Sequence, residues 1–244
     1  MKRTIKVLSA GSLRHAFPKI IEAFTPEMDV EVSLSLGPAG LLRERIENGE
    51  DFDLFASANM EHPQALAAAG IAEEAICFAR NRLCMIARSD IGMTTENFVE
   101  ILANPDLRIA TSTPGDDPSG DYAFELFNRI EAFYPGMGMM LKARARQLVG
   151  GRNSPPTPPG KGPGYLIADG EVDLMTSYYS NARLLEGNPA FSVVEIPAEL
   201  APAISYGLSL RKGALREAHL LREFMLGDAG RVILSETGFA LPLH

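Results

Sequence analysis

At 244 residues, 46% hydrophobic and 22% charged, the chain is long enough to bury one large core or two modest ones. A formal net charge of −8 argues against nucleic acid and anionic membrane surfaces as partners. No apolar run approaches the roughly 18 residues of a membrane-spanning helix, so direct membrane insertion is not expected.

Met1-Lys2-Arg3-Thr4 leads directly into the strand residues Ile5, Val7 and Leu8, with no apolar h-region or cleavage site. This start predicts either a trimmed export signal or a protein that stays in the cytoplasm. Leu13, Phe17, Ile20, Ile21 and Phe24 then recur at helical spacing, so the hydrophobic period changes at Gly11-Ser12. Ser12 is placed as the N-cap of that helix, where first-turn N–H groups lack partners and carry partial positive charge. Such a terminus holds an anion without Lys or Arg; capping its own helix is the plain alternative.

Residues 30–36 alternate strictly and predict a strand, and Gly37-Pro38-Ala39-Gly40 turns it into a helix that stops at Asn48-Gly49. Residues 52–57 predict a third strand and 61–69 a third helix. That alternation implies a parallel sheet flanked by helices. Strands at 76–78 and 83–87 precede a second series: a helix near 97–103, a strand at 108–111 and a turn at 112–119. A helix follows, with Ala123, Leu126, Phe127, Ile130 and Tyr134 on one face. Residues 150–164, rich in Gly and Pro, predict a long loop. A strand at 172–177 feeds Tyr178-Tyr179-Ser180-Asn181, a strand at 205–210 follows, and helices at 215–226 and 229–236 close the chain. The plan occurs twice, which predicts two α/β lobes with a ligand between the carboxyl ends of their strands.

Other chemistries find little support. Cys77 and Cys84 lie in apolar strand-like segments and read as free buried thiols rather than a bridge. His15, His62, His219 and His244 show no metal-ligand spacing, and Met137, Met139 and Met140 read as core filling or flexible surface. No Ser stands in a G-x-S-x-G elbow, so a hydrolase is the weaker rival. Gly160-Lys161 lacks the flanking residues of a P-loop and reads as a surface turn. Neither a cofactor nor a metal bound directly by protein ligands is expected.

Four turns share one design, a strand end followed by small or hydroxylic residues and a helix start. They are Ala10-Gly11-Ser12, Gly37-Pro38-Ala39-Gly40, Asp117-Pro118-Ser119-Gly120 and Ser177-Tyr178-Tyr179-Ser180. They supply donors and need no acceptor, which suits a fully deprotonated tetrahedral dianion. About five charge-assisted bonds at roughly 1.5–3 kcal/mol each give about 7–15 kcal/mol gross. Micromolar to nanomolar binding needs roughly 8–12 kcal/mol, so the donor count suffices.

Ala10-Gly-Ser-Leu13, Leu42-Arg-Glu-Arg-Ile-Glu-Asn-Gly49 with Phe52-Asp-Leu-Phe-Ala-Ser-Ala58, Asp117-Pro-Ser-Gly-Asp-Tyr122 and Tyr178-Tyr-Ser-Asn-Ala182 stand in order along nearly the whole chain. In these segments the chain resembles the periplasmic molybdate/tungstate-binding proteins, the substrate-binding subunits of ABC transporters. The resemblance implies the two-lobed, type II periplasmic-binding fold. Lobe one is then 1–82 plus 207–244 and lobe two 83–206, with hinges near Arg82 and Tyr206. It also implies a periplasmic monomer that binds molybdate or tungstate, hands it to a membrane permease and catalyses nothing.

Carried over by position, Ser12 gives Oγ and N–H. The second hydroxyl ligand of lobe one falls at Ala39, so only an N–H of Ala39 or Gly40 remains. Ser119 gives a backbone donor, Tyr178 its hydroxyl, and residues 150–153 one more donor, placed at Gly151; Arg152 could add a charge. Asp116 and Asp117 beside Ser119 would repel a deprotonated oxyanion if they faced it. They would then suit hydrogenphosphate or an expanded shell around the metal centre; otherwise they cap or precede the helix and point outward. The alternatives are therefore another anion, such as sulfate or phosphate, and a cytoplasmic ligand-sensing module.

Overall fold

The computed structural model describes residues 2–242; Met1 and His244 lie outside them. The strands are β1 (Arg3–Ala10), β2 (Val30–Gly37), β3 (Leu54–Ser57), β4 (Ile76–Asn81), β5 (Leu83–Arg88), β6 (Ile109–Ser112), β7 (Arg146–Val149), β8 (Leu174–Tyr178), β9 (Phe191–Glu195) and β10 (Ile204–Leu210). The helices are α1 (Phe17–Phe24), α2 (Ala39–Glu47), α3 (Glu61–Ala68), α4 (Phe98–Ala103), α5 (Pro118–Phe133), α6 (Met137–Arg144), α7 (Tyr165–Ala168), α8 (Tyr179–Ala182), α9 (Arg216–Leu226) and α10 (Asp228–Glu236). They fall into two compact units, Arg82–Ala203 and the residues on either side of it. The second unit ends three residues before 206 because β10 already pairs with Asn81 at Ile204.

The first unit holds a sheet in the order β2-β1-β3-β10-β4. β1 is flanked on both sides and is buried from Val7 onward, so it reads as a near-continuous apolar run. β2, at the edge, keeps one wet face and its alternation. β1 runs parallel to β2 and β3, whereas β10 runs antiparallel to β3 and β4. Four strands therefore share one direction and β10 alone is reversed. Gly207 lets α3 lie close to β10, since a Cβ there would meet Pro63 Cγ at 2.7 Å.

The second unit repeats the arrangement in the order β7-β6-β8-β5-β9, with β5 reversed against both neighbours. Helix α5 buries Ala123, Leu126, Phe127 and Ile130 as its spacing predicts. Tyr134, expected on the same face, lies just past the helix end and is 48% exposed. Gly136, at φ +89°, turns the chain back into α6, and the Glu131 carboxylate accepts from Gly136 N–H and Met139 N–H. Both cysteines are free thiols; burial pushes the Cys84 thiol up to about 12.

Candidate functional site

In the first unit the candidate donors follow the carboxyl ends of two neighbouring parallel strands. Ala10, the last residue of β1, is paired with Gly37, the last of β2, so the turns after them are adjacent. Ser12 does not cap an α-helix, contrary to expectation. It sits in a three-residue 3-10 turn, Gly11–Leu13, and α1 begins only at Phe17. Pro18 explains the late start, because its missing N–H and fixed φ fit only the first turn of a helix. The Ser12 hydroxyl is instead met by the Tyr206 hydroxyl at 2.9 Å, and the Tyr206 oxygen accepts from Asn81 Nδ2 at 3.2 Å.

Ala39 and Gly40 open α2, whose first turn holds no acidic residue. The first bond of its ladder runs from Leu42 N–H to the Pro38 carbonyl, 3.0 Å, so the N–H groups of Ala39 and Gly40 stand outside it. They carry the positive end of the helix dipole. Sequence reasoning passed over Arg14. Its Nε and its backbone N–H both donate to the Gly11 carbonyl, at 2.8 and 3.3 Å, which sets a guanidinium in the turn that holds Ser12.

In the second unit Ser119, Gly151 and Tyr178 also gather at carboxyl ends, those of the adjacent parallel strands β6, β7 and β8. Asp117 caps α5: its Oδ1 accepts from Ser119 N–H at 3.3 Å and its Oδ2 from the Ser112 hydroxyl at 2.5 Å. The backbone N–H expected as a donor at Ser119 is thus turned toward Asp117. Gly151 N–H, likewise expected as a donor, is given to Ser154 Oγ at 3.1 Å.

Arg152 donates to Asp116 from both its N–H and its guanidinium, at 2.9 Å each. Its charge is met by a carboxylate of the turn after β6, and the guanidinium holds the Asp116 carboxyl below the usual carboxylate range. Both aspartates are therefore engaged by protein donors, Asp116 by Arg152 of the loop after β7 and Asp117 by Ser112 and Ser119. Tyr178, 4% exposed, stands edge-on to Tyr122 with ring centroids 6.5 Å apart. Tyr122 lies one turn after Ser119 on the same side of α5, which sets Tyr178 beside the start of that helix.

Asn81 and Tyr206 were not singled out for the site from the sequence. The available signal was a Tyr inside a central strand, where a buried hydroxyl requires a partner. Among the described residues, no helix is long and apolar enough to cross a membrane. Nor does any group of three or more His, Cys, Asp or Glu there suit a metal ion.

Residues 5–240 match the family profile of bacterial extracellular solute-binding proteins. An uncharacterized protein of Pasteurella multocida is 38% identical over 98% of this chain and 100% of its own length. A molybdate-binding protein of Mycobacterium tuberculosis is 27% identical over 98% of this chain and 85% of its own. The structure of the Azotobacter vinelandii periplasmic molybdate-binding protein superposes with a TM-score of 0.78 at 20% identity, covering 98% of this chain and 100% of that one. That likeness is one of fold.

Proposed function

The chain belongs to the bacterial extracellular solute-binding proteins, and from that premise we propose that its solute is a tetrahedral oxyanion, molybdate or tungstate first. The protein binds the anion through its oxygens, breaks no bond, needs no cofactor and passes its cargo to an ABC permease from the periplasmic side of the membrane.

The observation that carries this reading is the pairing of Ser12 with the start of α2. The Ala10–Gly37 register sets a hydroxyl beside a helix terminus that has no carboxylate in its first turn. Such a terminus offers donors and positive potential to an anion, with no acceptor for a protonated one. The second unit, taken by itself, has hydroxyls at Ser119, after the carboxyl end of β6, and at Tyr178, the last residue of β8. Because Asp116 and Asp117 are engaged by Arg152, Ser112 and Ser119, their placement favours a fully deprotonated guest over hydrogenphosphate. Ala39 keeps sulfate as the second reading. Without a hydroxyl at that position the site has fewer donors with which to favour the larger anions.

Calorimetry and thermal shift with molybdate, tungstate, sulfate and phosphate test the proposal. Molybdate and tungstate are expected to bind most tightly, with stabilisation of about 2.7 kcal/mol at a hundredfold excess over Kd. Failure of every anion to shift the melt, together with turnover of an ester, would favour the hydrolase instead. Recovery of the native protein in the cytosolic fraction would favour the ligand-sensing module.

A further inference from the structure

We propose that Tyr206 is a positioning residue that fixes the Ser12 hydroxyl as a one-way donor toward the anion, an inference that rests on the oxyanion reading above. The direction of the hydrogen bonds begins at Asn81. Its Nδ2 carries only protons, so at 3.2 Å it occupies a lone pair of the Tyr206 oxygen. The single Tyr206 proton then goes to Ser12 Oγ, 2.9 Å away. A serine hydroxyl that accepts on one side keeps its own proton for the other.

Tyr206 has little freedom to do otherwise. It is fully buried, and its ring stands edge-on to Phe78 and to Phe239, with centroids 6.3 and 5.3 Å away. The pairing of β10 with β4 shifts register between Tyr206 and Gly207, an irregularity of the kind that re-aims a side chain. A Cβ on Gly207 would also meet Met60 Sδ at 2.9 Å and the Asn59 carbonyl at 3.0 Å, so the strand is held tightly there.

The relay therefore does two things to a bound anion. It pre-sets the orientation of the Ser12 O–H, which would otherwise be ordered only on binding. It also sets a donor against any proton the anion brings, so molybdate, tungstate and sulfate are favoured over hydrogenphosphate.

A double-mutant cycle on the full chain tests this, with Tyr206→Phe, Ser12→Ala and the double variant titrated by calorimetry against molybdate and phosphate. With Ser12 present, Tyr206→Phe is expected to raise the molybdate Kd about 5- to 20-fold and to narrow its preference over phosphate. With Ser12→Ala the same change is expected to cost less than about twofold. A merely structural tyrosine would cost the same factor in both backgrounds, and that result, or no loss in either, overturns the role of Tyr206 alone. Should Tyr206→Phe fail to fold by its thermal melt, Asn81→Ala replaces it at the far end of the relay. Its loss is expected to be smaller and again confined to chains that keep Ser12; an equal loss in both overturns the role. A wild-type chain that binds none of molybdate, tungstate and sulfate overturns the oxyanion reading, and this inference with it.

Discussion

A methyl group on Gly150 would lie 2.0 Å from Ser112 Oγ and 2.5 Å from Asp117 Oδ2, at a residue whose φ is already +70°. Gly150→Ala is therefore expected to displace the cap of α5 as well as strain its own backbone. A loss of roughly 1–3 kcal/mol of stability, read by denaturant melts, should come with weaker anion binding. Ser12→Ala acts differently. It removes the proposed ligand donor and also the acceptor of the buried Tyr206 hydroxyl, so affinity should fall by about 1–3 kcal/mol and the melt of the free protein should drop as well. Cys84, its thiol pushed up to about 12 by burial, should resist alkylation at neutral pH until the protein is unfolded. The turns after β1 and β2 were legible because each follows its strand within a few residues. The Tyr206–Ser12 contact was not, because its partners stand 194 positions apart and no local period joins them.

Elements show the same division between local signals and long-range causes. Strands β1 to β3 and helix α5 follow from alternation and helical spacing. α6 was obscured by Gly138, which reads as an interruption. A Cβ there would come within 2.1 Å of the Phe127 carbonyl, so the glycine is what lets α6 cross α5 closely. β7 and β9 were missed because both are short edge strands whose pairing partners, not their own sequence, define them.

Asp173, just ahead of β8, holds three of these elements together. It accepts from Arg88 at the end of β5 at 2.8 Å, and from the Arg108 backbone N–H and Nε before β6 at 2.9 Å. Its side chain is 5% exposed, and Arg108 foremost, with Arg88, holds its carboxyl below the usual range. A depressed folded-state pKa means the contribution is complete above the unfolded value near 3.9 and fades as pH falls through the folded one. Acid titration of the free protein should accordingly lose part of its stability below about pH 4. In Asp173→Asn that part of the acid loss should be missing, and at pH 7 the melt should fall by roughly 4–8 °C, the equivalent of ~2 kcal/mol.

At the level of the molecule, the repeated strand–helix plan was enough to give two α/β units, since each repeat needs its own covered sheet. The single reversed strand in each sheet was not given by periodicity. β5 and β10 are each the first strand after a boundary between the units and enter their sheets without a crossover helix. Boundary placement depends on the same pairing, which is why residues 204–206 join the first sheet.

The position of β10 between β3 and β4 has a consequence for how the polypeptide is made. A ribosome finishes Arg82–Ala203 as one continuous stretch, whereas the earlier sheet waits with a gap in its middle until residues 204–210 emerge. Expressed alone, residues 82–203 should give a cooperative circular-dichroism melt. Residues 2–81, deprived of the strand that bridges β3 to β4, should remain largely unfolded and prone to aggregate.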